Sequence, residues 1–247
     1  MKKAKKAGSK KIAASRALID DLVAGSRILA MHEVLDAYGH ISARSDRRPD
    51  HFIMSRSRAP ALVTAADLME LGPDSEPVRG ELRKGFIERY IHGEIYRTRP
   101  DVTAVVHSHS PSVIPFGVTR TRLRPIYHMG AFLWSGTPVF DIRKERPDND
   151  LLIRDRPLGQ ALAKTLGECT CVLMRGHGMT VVAEGIPAVV YRAIYTEMNA
   201  RLQIQASQLE GPIEFLSDEE GRRSWAANSG TLERPWELWK AKALGRK

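Results

Sequence analysis

The chain has 247 residues, 43% of them hydrophobic, and a formal net charge of +9. That length holds one large core or two small ones, and no apolar run approaches the ~20 residues that span a bilayer. Seven of the positive charges fall in residues 1–16 (Lys2, Lys3, Lys5, Lys6, Lys10, Lys11 and Arg16), and the rest of the chain shows no basic stripe with interleaved aromatics, which argues against nucleic-acid binding.

Residues 1–16 therefore read as a basic, disordered arm. The N-terminus lacks the apolar stretch of a secretory signal, and it is too short and too lysine-rich for a mitochondrial transit peptide. A cytoplasmic protein is expected. Without a Gly/Ser/Pro-rich linker or a repeat, residues 17–247 read as one domain.

Ser15 to Tyr38 reads as a helix, with Leu18, Leu22, Ile28, Leu29, Val34 and Leu35 at helical spacings, Gly25 a candidate break and Gly39 the stop. Gly39-His40-Ile41-Ser42-Ala43-Arg44 follows, then a short strand around His51 to Met54. Ser55 to Ala61 is a basic loop with Arg56 and Arg58. Thr64 to Asp67 looks like a helix start, and Gly72 to Gly80 is turn-rich. Phe86 to Arg97 reads as a helix that puts Glu88, Ile91, His92, Ile95 and Tyr96 on one face. A carboxylate and an imidazole on an apolar face either satisfy each other or serve a site. Glu88 is costly to bury without a cationic partner.

Val102 to Val106 lies between Pro100 and Pro111 and reads as a buried strand running into His107-Ser108-His109. Residues two apart on a strand share a face. The two imidazoles either begin a metal site or are hydrogen-bonded histidines at a strand end. Ser112 to Val118 reads as a short helix or turn, and Tyr127-His128-Met129-Gly130 follows a polar stretch. Val139 to Ile142 is a strand, and Leu158 to Leu166 a short helix ended by Gly167. Thr170 to Met174 is a buried strand leading into Arg175-Gly176-His177-Gly178-Met179, with another strand at Thr180 to Ala183. Pro187 to Gln208 is a long helix closed by Gly211. Cys169 and Cys171 read as small buried hydrophobes on one face of a strand. Trp225, Trp236 and Trp239 are expected to dock the C-terminal tail on the body or on a neighbouring subunit. His177, flanked by glycines at a strand exit, would complete a three-histidine metal site at three strand ends, with a position open to substrate.

GHISAR, Glu88, RPDVTAVVHSHSP and RGHG before a long helix together resemble the class II aldolase/adducin family from about Arg27 to Arg201. The resemblance implies an α/β fold, a three-layer α/β/α arrangement with a central, mostly antiparallel sheet covered by helices. It implies a homotetramer with active sites at subunit interfaces. It implies one divalent metal ion per chain, Zn, Mn or Fe, held by His107, His109 and His177. Glu88 would be the acid/base beside it, and His128 a proton donor reaching in from the adjacent subunit. Adducin-like members lack the metal histidines; this chain has all three.

Two departures matter. Sugar-phosphate members of the family carry Gly-Asn where this chain has Gly39-His40, and a Thr/Ser-Gly-rich phosphate loop where it has Met54-Ser55-Arg56-Ser57-Arg58. Guanidinium matches a carboxylate bidentately. The chain thus more closely resembles the decarboxylase branch, which acts on hydroxylated aromatic or pyridine dicarboxylates. The expected function is metal-dependent decarboxylation with a metal-stabilised enolate. His40, Ser42, Ser55 and Arg56 would bind the small carboxylate substrate. The alternative is an aldolase cleaving a sugar phosphate or acidic sugar into two carbonyl fragments. Neither reading calls for nucleic acid or a membrane.

Overall fold

The computed structural model describes residues 12–78 and 80–245. Chain order runs α1 (Arg16–Met31), β1 (His40–Arg44), β2 (Phe52–Ser55), β3 (Leu68–Leu71), α2 (Arg89–Thr98), β4 (Ala104–Ser108) and α3 (Ile114–Val118). It continues with β5 (Val139–Phe140), α4 (Arg156–Leu166), β6 (Cys171–Met174), β7 (Gly178–Ala183), α5 (Ile186–Ala206), α6 (Asp218–Ser229) and α7 (Glu233–Ala243). The strands form one sheet in the order β3-β2-β1-β4-β7-β6-β5. Every pairing is antiparallel except β5 with β6.

Alternation along the strands divides the apolar side chains between two cores. Ile41, Ala43, Val106 and Val181 pack with α1, α5 and α7; Phe52, Met54, Val105 and Val182 pack with α2 and α4. The result is the expected α/β fold of three layers, helices on both faces of a mostly antiparallel sheet.

Several boundaries differ from the sequence reading for local reasons. Helix α1 ends at Met31, because Glu33 adopts φ 59° and the Val34 and Leu35 amides turn back onto the Leu29 carbonyl. A left-handed residue after the cap is a common helix stop. Val34 and Leu35 are buried, but beyond the helix. β1 and β3 were not expected as strands. The side chain of Asp67 does accept from the Thr64 amide and hydroxyl, yet that box opens only a short 3-10 turn, Ala65–Asp67, before β3. α2 starts at Arg89, which makes Glu88 its N-cap rather than a residue of its face.

Cys169 precedes β6, donates its thiol to the Ser135 carbonyl and packs toward the α4 side, whereas Cys171 is buried on the opposite face. The two cysteines do not share a face. The expected arm also has a different boundary. Ala14 is buried, the Ala13 amide donates to Glu70 at 2.9 Å, and Arg16 already belongs to α1. Residues 1–11 lie outside the described residues. Among the described residues no helix is long and apolar enough to cross a membrane.

The tryptophan tail docks on its own body. Trp236 and Trp239 enter the α1/α5 core, Lys240 pairs with Asp21 at 2.5 Å, and Trp225 packs edge-on to Phe132. Truncating a buried Trp costs about 3 kcal/mol or more. Trp239→Ala should therefore lower the thermal midpoint by roughly 6–12 °C, read by circular dichroism; an unchanged midpoint would mean that α7 does not carry this packing.

Candidate metal centre

His107 sits inside β4, directly across from His40 of β1 and Thr180 of β7, on the sheet face covered by α2. It is fully buried, and its Nδ1 lies 3.1 Å from the Met179 carbonyl. That contact makes Nδ1 the proton-bearing nitrogen and leaves the Nε2 lone pair free. Nε2 is buried with no hydrogen-bond partner among the described residues. His109, just past the strand end, brings its ring to 5.1 Å from that of His107. His177 lies in the tight turn between β6 and β7, and its Nδ1 donates to the Leu151 carbonyl at 2.8 Å. The histidines thus come from one strand interior, one strand exit and one turn, not from three strand ends.

The Nε2 atoms of His109 and His177 are 3.1 Å apart. Glu88 Oε2 stands 3.4 Å from His107 Nε2 and 3.5 Å from His177 Nε2, while Oε1 accepts the Ile153 amide at 3.0 Å. All four donor atoms lie within 4.8 Å of one another. Burial alone would raise the Glu88 pKa, but His107 and His177 outweigh it and hold the carboxyl well below its usual range. Burial and its histidine neighbours push His109 down to about 4. His177 moves the other way: burial opposes its charge, and Glu88 more than compensates.

This donor set fits a divalent cation. Two imidazole nitrogens 3.1 Å apart repel unless a proton or a cation lies between them. The orphaned His107 nitrogen faces the same point, and an ionised carboxylate completes the set. Three imidazoles and one carboxylate suit Zn, Mn or Fe.

A second polar group backs onto the first. His40 Nδ1 is 2.7 Å from His92 Nε2, His92 Nδ1 is 2.6 Å from Ser42 Oγ, and Ser42 Oγ is 2.8 Å from the Tyr96 hydroxyl. The His40 ring centroid lies 5.2 Å from that of His107 and 4.5 Å from Phe86. Burial, and then the nearby histidines, push His92 down to about 3 and His40 well below its ordinary value. His92 is therefore satisfied across the sheet by β1, not by Glu88 along its own helix.

The expected substrate contacts fare differently. Ser42 is fully buried and bonded to His92 and Tyr96. Ser55 is buried at the end of β2. Arg56 and Arg58 converge on Asp67, at 2.7 and 3.3 Å. His128 is exposed, with its carbonyl accepting from Asn228, and belongs to no metal-ligand cluster among the described residues. Leu151, at φ 68°, and Ile153 escaped the sequence reading because they act through backbone atoms, which leave no signature in residue type. A cleft of about 630 Å³ opens beside Trp134 and Val139, but it holds none of these side chains.

Gly178 permits the close passage of β7 against β4. A Cβ there would meet the Ser108 carbonyl oxygen at 2.0 Å and His109 Cα at 3.0 Å. Gly178→Ala should therefore destabilise the protein by roughly 1–3 kcal/mol, lowering the urea midpoint at constant m-value. A neutral outcome would show that the turn absorbs the methyl group.

Residues 20–204 match the family described as Class II Aldolase and Adducin N-terminal domain. The chain is 43% identical to the protein named Decarboxylase tropJ of Talaromyces stipitatus over 240 residues, 88% of this chain and 90% of that one. It is 32% identical to the 3,4-dihydroxyphthalate decarboxylase of Arthrobacter keyseri over 202 residues, 78% of this chain and 79% of that one. In fold it is similar to the L-fuculose 1-phosphate aldolase from Glaciozyma antarctica PI12, with a TM-score of 0.77 at 20% identity, over 94% of this chain and 92% of that one. Histidine cluster, sheet order and sequence agree, and the chain belongs to the class II aldolase/adducin family.

Proposed function

We propose that the protein is a metal-dependent carboxy-lyase that removes one carboxylate from a hydroxylated aromatic or pyridine dicarboxylate. The observation that carries this reading is the convergence of Glu88, His107, His109 and His177 on one point. The similarity to decarboxylases along most of both chains supports it. His107, His109 and His177 would hold one divalent cation, Zn, Mn or Fe, with Glu88 beside it. When bound, such a cation supplies a Lewis acid that stabilises negative charge on an oxygen next to the breaking bond.

The remaining work falls to the side chains. Oε1 of Glu88 is fixed by the Ile153 amide, so Oε2, the oxygen that faces the cluster, would be the atom that moves a proton. It would take the proton of the substrate hydroxyl and deliver one to the ring carbon bearing the leaving carboxylate. Protonation there gives a β-keto acid tautomer. The bond to the carboxylate then breaks, CO2 leaves, and the electron pair returns to the ring and its oxygen. His128, exposed in its own chain, would be the second proton donor, serving the site of an adjacent subunit in a cytoplasmic homotetramer. Arg56 and Arg58 share the single charge of Asp67. The surplus positive charge suits the carboxylate that stays, next to His40.

Two measurements test this reading. Protein isolated with Zn, Mn or Fe should hold one ion per chain by elemental analysis, and His177→Ala should lose most of it while staying folded; full occupancy in that variant would contradict the ligand assignment. Incubated in D2O with 3,4-dihydroxyphthalate and related hydroxy-dicarboxylates, the best substrate should yield CO2 and a product with one deuterium at the vacated carbon, in equal amounts. Release of an aldehyde fragment without CO2 would overturn the decarboxylase reading in favour of an aldolase.

A further inference from the structure

Four groups, Tyr96, Ser42, His92 and His40, form an unbroken line of hydrogen bonds from the interior to the histidine cluster. All four are buried, and two of them come from each of β1 and α2. The line can run in two directions. In one, the tyrosine hydroxyl donates to Ser42, Ser42 donates to His92 Nδ1, and His92 donates through Nε2 to His40 Nδ1. In the other, His40 donates through Nδ1 and each later proton points the opposite way.

The ends of the line decide between them. Among the described residues the Tyr96 hydroxyl meets Ser42 Oγ and the Val105 amide, and only Ser42 can accept its proton. Reversing the line would aim the phenol proton away from Ser42 and leave a buried donor without an acceptor. Buried polar hydrogens are rarely left that way. A phenol kept protonated by burial must also donate. The tyrosine end therefore sets the direction, and the proton of His40 falls on Nε2. That nitrogen has no partner among the described residues, and its ring stands 5.2 Å from His107.

We infer that His92 is a positioning residue, locked by Ser42 and Tyr96, which keeps His40 in its Nε2–H tautomer so that His40 offers a hydrogen-bond donor to an anionic oxygen bound beside the histidine cluster. Histidine can present either a donor or an acceptor. An acceptor would repel a carboxylate or phenolate at this place. The inference rests on the proposed carboxylate substrate for its ligand, but the tautomer follows from the hydrogen-bond line alone.

The test has two arms. Neutron diffraction from deuterium-exchanged, metal-free crystals should show deuterium on Nε2 of both His40 and His92 and none on His40 Nδ1. Deuterium on His40 Nδ1 would overturn the inference whatever the substrate proves to be. With 3,4-dihydroxyphthalate as probe, His92→Phe should raise KM at least tenfold, leave metal content at the wild-type level, and change kcat less than KM. In a His40→Gln background, where an amide N–H replaces the imidazole and needs no tautomer lock, adding His92→Phe should have little further effect. An equal loss in both backgrounds would mean that His92 acts as packing and not through His40. Tyr96→Phe removes only the terminal proton; it gives the same readout should His92→Phe fail to fold. If the probe is neither bound nor turned over, the carboxylate reading fails while the neutron result still decides the tautomer.

Discussion

The site depends on holding three imidazoles and a carboxylate closer together than they would remain by themselves. Backbone atoms do the holding. The Met179 carbonyl orients His107, the Leu151 carbonyl orients His177, and the Ile153 amide orients Glu88. Each fixes one polar atom of its ring or carboxyl and leaves the other aimed at a common point. An orphaned buried acceptor costs roughly 1–3 kcal/mol, and His107 Nε2 is one. A scaffold of packed strands keeps such a group in place where a loop would relax. This is why the most crowded ligand lies in β4, the central strand of seven.

The sheet divides its labour between its faces. The α1/α5 face is lined by apolar side chains, with Ile41, Ala43, Val106 and Val181 among them, and supplies cohesion. The opposite face carries His40, Ser42, Arg44, His107 and Thr180 in adjacent positions of three strands. Those polar groups tolerate burial because each meets a partner. Arg44 donates to the carbonyls of Tyr96, Arg99 and Val102, and Thr180 reaches the His107 ring. Helix α2 answers this strip with His92 and Tyr96 at i and i+4, flanked by Ile91 and Ile95.

Much of this was legible in residue order. Helical spacing marked α2, apolar runs marked β4 and β6, and His107-Ser108-His109 with the glycine-flanked His177 pointed to the cluster that the fold assembles. β1 was harder to read. Its alternation of His40, Ser42 and Arg44 with Ile41 and Ala43 looks like an exposed strand or a loop, yet both of its faces are buried. The polar half finds its partners on α2, about fifty residues away in the chain, and no local window reveals that. The 149–155 segment was illegible because Leu151 and Ile153 contribute only a carbonyl and an amide, which every sequence supplies.

Charge balance connects the cluster to the arginine loop. Continuing the β1–β2 register by two residues past Ser42 and Met54 would bring Arg56 level with His40, at the same end of the sheet as His107. Asp67 neutralises one of the two guanidinium charges in that loop. Glu88 would likewise neutralise half of a divalent cation's charge in the cluster. On the proposed reading, each subsite is left with one surplus positive charge, and the neutral His40 between them adds none. A dicarboxylate brings one negative charge to each. A phosphate monoester would concentrate nearly two charges at the loop, which a half-neutralised arginine pair matches less well. Loss of CO2 would consume the negative charge at the cluster only if a proton reached the ring, and on the proposed reading Glu88 would carry it.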